Sequence, residues 1–210
     1  MLERWRINPA LASVRPPMGK RKALKKAEKA DIEVSKAAWG YKNSLPVRAM
    51  GVLGKMTDQP PLFAFAAGIA AAGLIRREPR LVSLAARAAT AHWIGIQLKD
   101  LLKNTIVRTR PPAAVEYGHH EMKPGHNPAK KVSSFPSGHT AGAVAIARSV
   151  ARSNPNAALP AYGLAAAAAI SRVAECEHFV TDTAAGVLIG IAAEKAAAAL
   201  FAGSDGRNSA

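Results

Sequence analysis

From Pro60 to Ile75 the chain carries no charge, reading Pro-Pro-Leu-Phe-Ala-Phe-Ala-Ala-Gly-Ile-Ala-Ala-Ala-Gly-Leu-Ile, and the basic turn Arg76-Arg77-Glu78-Pro79-Arg80 then interrupts it. The run is a little short of the roughly 20 apolar residues that a spanning helix needs. Leu81 to about Arg110 is helix-like, with His92, Trp93, Lys99 and Asp100 placed before Lys103, and Pro111-Pro112 should stop that helix. Pro111 to Phe135, rich in Pro, Gly and His, reads as loop. Gly138 to Arg152 reads as a helix, Pro155 to Ile170 is uncharged and dominated by Ala, and Phe179 to Phe201 is a last apolar helix interrupted by Glu194-Lys195. No stretch reads as a strand and no repeat period is visible. The pattern predicts an all-α protein, a bundle of about five to six helices.

Composition sharpens this picture at the N-terminus. With 210 residues the chain is long enough for one domain with a core. The net charge of +15 is concentrated early: residues 1–48 hold twelve Lys or Arg against four acidic residues, centred on Lys20-Arg21-Lys22-Ala23-Leu24-Lys25-Lys26. Sparse aromatics and the lack of a zinc-ligand set or an RNA-binding sheet pattern argue against nucleic acid. Attraction to anionic lipid remains, so residues 1–48 are expected to be a basic extension, interfacial or partly disordered, with a helical domain over 49–203 and a flexible tail over 204–210. No apolar run of signal-peptide length follows the first basic residues, so no cleavable secretion signal is expected. The single cysteine, Cys176, excludes an intramolecular disulfide and reads as a small packing residue. A mean hydropathy of +0.01 leaves a soluble bundle and a membrane bundle both open.

Three stretches carry candidate chemistry. If the chain is helical from His178, His178 and Asp182 are an i, i+4 pair, and the carboxylate can take a hydrogen bond from one ring nitrogen and leave the other free to attack. Pro136-Ser137-Gly138-His139 opens a helix, so its N–H groups suit an anion, and it adds a hydroxyl and a titratable ring. Lys103 and Arg110 lie about two helical turns apart and could serve one side of a helix. Each piece alone has an ordinary reading as a cap or a solvated charge. His119, His120, Glu121 and His126 lack the spacing of a zinc site.

Together the blocks read Lys-x6-Arg-Pro (Lys103 to Pro111), Pro-Ser-Gly-His (Pro136 to His139) and Ser-Arg-x5-His-x3-Asp (Ser171 to Asp182), and all eleven fixed positions are filled in order. This resembles the tripartite signature of the type 2 phosphatidic acid phosphatase superfamily, in its membrane lipid phosphatase branch, over about Pro60 to Phe201. The resemblance implies a membrane-embedded bundle with the site at one end, multi-pass in the cell inner (plasma) membrane. Small Ala and Gly residues suit close helix packing in lipid. Arg76 to Arg80, Arg148 and Arg152 would then share the face opposite the site, which positive-inside reasoning makes cytoplasmic. It further implies that His178 attacks phosphorus to give a phosphohistidine, that Asp182 orients it, and that His139 protonates the leaving group. Lys103, Arg110, Ser137, Gly138 and Arg172 would bind the substrate phosphate, with no metal and no cofactor. The implied substrate is a lipid phosphate or a (poly)prenyl diphosphate. A vanadate-dependent haloperoxidase, whose oxyanion pocket is of the same kind, and a non-catalytic basic membrane anchor are the alternatives. Three residues depart from the family pattern: Glu175 and Glu177 stand where small or apolar residues are usual, and Val180 where many members have proline. The two carboxylates either face the site and favour a protonated His178, or turn outward toward a cationic head group or Lys130 and Lys131.

Overall fold

A computed structural model describes residues 18–125 and 133–205. His126, Lys130 and Lys131 lie outside the described residues. Among those described, eight α-helices and one pair of short strands follow in order: α1 (Met18–Trp39), α2 (Leu45–Lys55), α3 (Gln59–Arg76), α4 (Pro79–Thr105), β1 (Ile106–Arg108), α5 (Pro111–Glu116), β2 (Met122–Pro124), α6 (Gly138–Ser153), α7 (Ala158–Ala174) and α8 (Val180–Asp205). The bundle of five to six helices expected from the sequence is present as α3, α4, α6, α7 and α8, with α1, α2 and α5 set around it.

Helix ends follow local chemistry. Asp58 and Glu78 precede α3 and α4, each of which has proline in its first turn, where the missing N–H is no loss. Helix α4 stops at Thr105, five residues before the position expected, because Thr105, Ile106 and Val107 are β-branched in succession. Ile106 to Arg108 instead pairs antiparallel with Met122 to Pro124, Val107 opposite Lys123. Three residues a side were too short to read as strands. The segment read as loop also contains α5, entered through Pro111 with Ala113 and Ala114 behind it.

The chain reverses at each end of the bundle, so the start of α3, the end of α4, the start of α6, the end of α7 and the start of α8 share one end. Every block of the signature falls there. Arg76–Arg80, Arg148 and Arg152 lie at the other, where Arg148 and Arg152 close on the buried Glu194 at 3.2 and 2.6 Å. Helix α4 is the inner post, packed against α3, α6 and α8, and α6 lies between α7 and α8. Segments Pro155–Ala174 and Val180–Ala202 are long and apolar enough to cross a membrane, and α2 with α3, bent by 58°, makes a third if taken as one span. Leu74, Ile75, Leu159, Leu164, Leu188 and Leu200 stand exposed on these helices, as lipid-facing side chains do.

Alanine and glycine let α6 and α8 touch backbone to backbone. A Cβ on Gly186 would come 2.6 Å from the Ser137 carbonyl oxygen, and one on Gly190 would come 2.6 Å from that of Ala141. These two glycines form a G-x-x-x-G seam, the spacing that brings helices close in lipid. In a free helix Gly→Ala gains about 1 kcal/mol; here the added methyl must force two backbones apart, which costs about 1–3 kcal/mol. Gly190→Ala is therefore expected to lower the thermal unfolding midpoint of the detergent-solubilised protein, against the helix-propensity trend.

Candidate active site

The turn from α7 to α8 is built around Cys176, whose φ of 56° places a residue with a Cβ in the left-handed region, at a cost of about 1–2 kcal/mol. The geometry is held because the Arg172 carbonyl accepts both the Glu177 N–H (3.0 Å) and the His178 N–H (3.1 Å), and because the Cys176 thiol is buried against the Ser35 carbonyl. Burial pushes that thiol's pKa up, which fits a packing role. The turn delivers His178 into a cavity of about 630 Å³ whose wall includes His139, Lys103, Arg110, Lys99, Asp58 and Gly138.

His178 donates its Nδ1–H to the Ser134 carbonyl oxygen at 2.7 Å, with Asp182 Oδ2 3.8 Å from the same nitrogen. A carbonyl only accepts, so Nδ1 must carry the proton and Nε2 of the neutral ring keeps its lone pair. The sequence placed that hydrogen bond on Asp182; the structure gives it to a backbone carbonyl and leaves Asp182 alongside as a charge. Burial holds the His178 pKa below its usual value, with Arg110 and Lys103 adding to the fall and Asp182 opposing it. The ring is therefore neutral at physiological pH.

Asp182 is fully buried in the first turn of α8. Its Oδ2 accepts the Phe179 N–H at 2.9 Å, half of a capping box, and its Oδ1 takes Arg108 Nη1 at 2.6 Å. Ser137 is the N-cap of α6, accepting from the Thr140 amide, and its own N–H donates to the Asp182 carbonyl at 3.1 Å, which ties the second block of the signature to the third. His139 is the second residue of α6, and its Nε2 lies 2.6 Å from Asp58 Oδ1. The His139 and His178 ring centres are 6.3 Å apart.

The cations divide into two sets. Lys103 is buried and donates to the Ser133 carbonyl at 2.7 Å, and Lys99 pairs with Asp100 at 2.9 Å, both along the cavity wall. Arg110 and Arg172 are held by the two glutamates that depart from the family pattern. Arg110 Nη1 meets Glu177 Oε2 at 2.7 Å and the Glu177 carbonyl at 3.0 Å. Arg172 pairs with Glu175 and reaches the Gly51 carbonyl at 3.4 Å; a Cβ on Gly54 of α2 would meet its guanidinium, and one on Gly51 would meet the Glu175 carboxylate. Both carboxylates thus turn toward site arginines. Arg172 is the one candidate cation absent from the cavity wall.

Of the eight residues singled out from sequence, the structure brings His178, His139, Lys103, Arg110 and Gly138 to one cavity, with Ser137 and Asp182 buried directly behind it. Sequence reasoning missed Asp58, Lys99, Arg108, Thr181 and Asp31. Asp58 carried the signal of a helix N-cap before Gln59-Pro60, and nothing local linked it to His139.

This fold and site define a membrane helical bundle with a histidine pair and a cationic pocket at one end. The model of the PAP2 superfamily matches residues 80–204. The chain belongs to the PAP2 superfamily. No curated protein matches it. Among solved structures it is similar to the transmembrane PAP2-type phosphatidylglycerolphosphate phosphatase of Bacillus subtilis, at 22% identity and a TM-score of 0.55, over 80% of this chain and 84% of that one. It is also similar to Aquifex aeolicus LpxE, at 20% identity and a TM-score of 0.55, over 79% of this chain and 92% of that one. At such identities these likenesses establish the shared fold.

In the folded protein the Asp58 carboxylate is the nearby anion that favours protonated His139, against burial and Arg172. Asp58→Asn removes that support, so the His139 ring, followed by NMR of histidine-labelled protein, is expected to titrate at lower pH than in wild type. An unmoved titration would mean that the two side chains do not pair in solution.

Proposed function

We propose that the protein hydrolyses a lipid phosphate or a (poly)prenyl diphosphate through a phosphohistidine on His178, in a cell inner membrane that it crosses several times. The observation that carries this reading is the pinned tautomer of His178: with Nδ1–H fixed on Ser134, the free Nε2 lone pair faces a cavity that also holds His139, Lys103 and Arg110. Nε2 bonds to phosphorus, the P–O bond to the leaving group breaks, and His139 gives its proton to the departing oxygen. Water then attacks the phosphorus, His139 takes a proton from it, and phosphate leaves as the P–N bond breaks. Lys103, Arg110 and Gly138 on the cavity wall, with Arg172 drawn from Glu175, serve the nonbridging oxygens, whose charge such a transfer must hold in place, while Ser137 caps α6 behind them.

The glutamate pairs bear on binding. Phosphate must compete with Glu177 for Arg110 and with Glu175 for Arg172. The phosphatidylglycerolphosphate named for the Bacillus subtilis protein is one candidate among lipid phosphates. Basic residues at the end opposite the site favour a cytoplasmic position for that end, which puts the site on the outer side, and the basic α1 suits anionic lipid.

Phosphate release from a panel of lipid phosphates and prenyl diphosphates in detergent micelles tests the reading. His178→Ala is expected to abolish turnover while the protein stays folded; full activity in that variant would remove His178 as the nucleophile. Activity should persist in EDTA, since the proposed phosphate contacts are all side-chain cations and backbone amides. Glu177→Gln is expected to lower KM up to about 5-fold, the scale of a partly exposed ion pair, with kcat little changed.

A further inference from the structure

Helix α1 lies outside the span matched by the family model, yet it supplies a buried carboxylate to the site. Asp31 is 2% exposed, Arg108 1% and Asp182 fully buried. Arg108 stands between the two acids: Nη2 donates to Asp31 Oδ2 at 2.8 Å, and Nη1 donates to Asp182 Oδ1 at 2.6 Å and to Thr181 Oγ1 at 2.7 Å. The guanidinium face rests on the Phe179 ring, 4.2 Å from its centre. Asp31 Oδ1 also accepts the Thr181 N–H at 3.1 Å, and the Thr181 hydroxyl donates to Asp31 Oδ2. One carboxylate therefore holds both the first turn of α8, through Thr181, and the arginine that holds Asp182.

The charges of this cluster do not cancel. Asp31, Arg108 and Asp182 sum to one negative charge beside His178. Lys103, Arg110 and His139 from the cavity side are the other titratable or charged groups turned toward His178, while His120 and Glu28 lie on the far side near Arg108 and Asp31. When Nε2 bonds to phosphorus with Nδ1 still protonated, the ring becomes cationic. The surplus negative charge faces the ring in which that positive charge appears.

We propose that Asp31 is a positioning residue for the phosphatase reaction, acting through Arg108 and Thr181 to set Asp182 and to supply the negative charge that the phosphorylated His178 ring requires. The α1 helix is then part of the catalytic domain. This rests on His178 as nucleophile. None of Asp31, Arg108 and Thr181 lines the cavity, so their effect falls on the chemical step and not on substrate binding.

Asp31→Asn tests the proposal, because it keeps the size of the side chain and an acceptor for Thr181 while removing the charge. Turnover by wild type that His178→Ala abolishes first secures the nucleophile on the same substrate. Against that reference, Asp31→Asn is expected to lower kcat about 10- to 100-fold, the effect at an effective dielectric of about 20 of one charge lost from the far side of Arg108, with KM within about 3-fold. With one fewer anion nearby, protonated His178 is disfavoured, so the acidic limb of kcat/KM is expected to move to lower pH. Wild-type kcat and an unmoved limb in folded Asp31→Asn overturn the proposal. A lower kcat with a lowered unfolding midpoint and an unmoved limb also overturns it, since it makes Asp31 a stabilising residue only. If Asp31→Asn is not recovered folded, Thr181→Val decides: it keeps both carboxylates and removes one hydroxyl from the link, so kcat should drop several-fold at unchanged KM, and an unchanged kcat overturns the proposal.

Discussion

The arrangement of this protein depends on a carboxylate that has no access to water. Asp182 sits at zero exposure in the first turn of α8, and its charge survives there because Arg108, the Phe179 amide and the positive end of the helix meet it. Taking away one partner of such a buried pair costs about 3–5 kcal/mol, a large part of the stability of an ordinary domain. The positions of β1, of the α7–α8 turn and of the N-terminus of α6 are all constrained by this one site. Arg108 lies at the end of β1, His178 hangs from the turn, and Ser137 bonds to the Asp182 carbonyl.

The same constraint explains why the bundle can be made of such small residues. Alanine and glycine contribute little apolar area each, but they bring α6 and α8 into backbone contact at Gly186 and Gly190, and close contact fixes where the two helix starts lie relative to each other. His139 belongs to one of those starts, and Asp182 and the turn bearing His178 to the other. Geometry that a larger side chain would blur is set by the absence of side chains.

The bundle helices and the signature residues were legible in sequence because each depends on local information: apolar length, proline at a helix start, and fixed spacing within a block. The end of α4 was not, since Thr105 to Val107 leaves the helix to pair with Met122 to Pro124, a pairing decided by tertiary contact. Asp31 read as one acid in a basic tail, and its meaning lies in a partner 77 residues away. Asp58 drew no reading from the sequence, and it is the partner of His139, 81 residues on. Glu175 and Glu177 were visible as departures, but sequence left their direction open, and the structure turns both onto arginines of the site.

The ion cluster also bears on how the protein is made. Arg108 finds one carboxylate 77 residues before it and the other 74 residues after it, so during synthesis the first acid waits on α1, the arginine follows, and the second acid arrives only with the last helix. Until α8 docks, Arg108 lacks half of its compensation and must remain hydrated. The polar end of the bundle is thus the last part to dry out, since in a chain that stops short of α8 Arg108 keeps Asp31 as its only carboxylate partner.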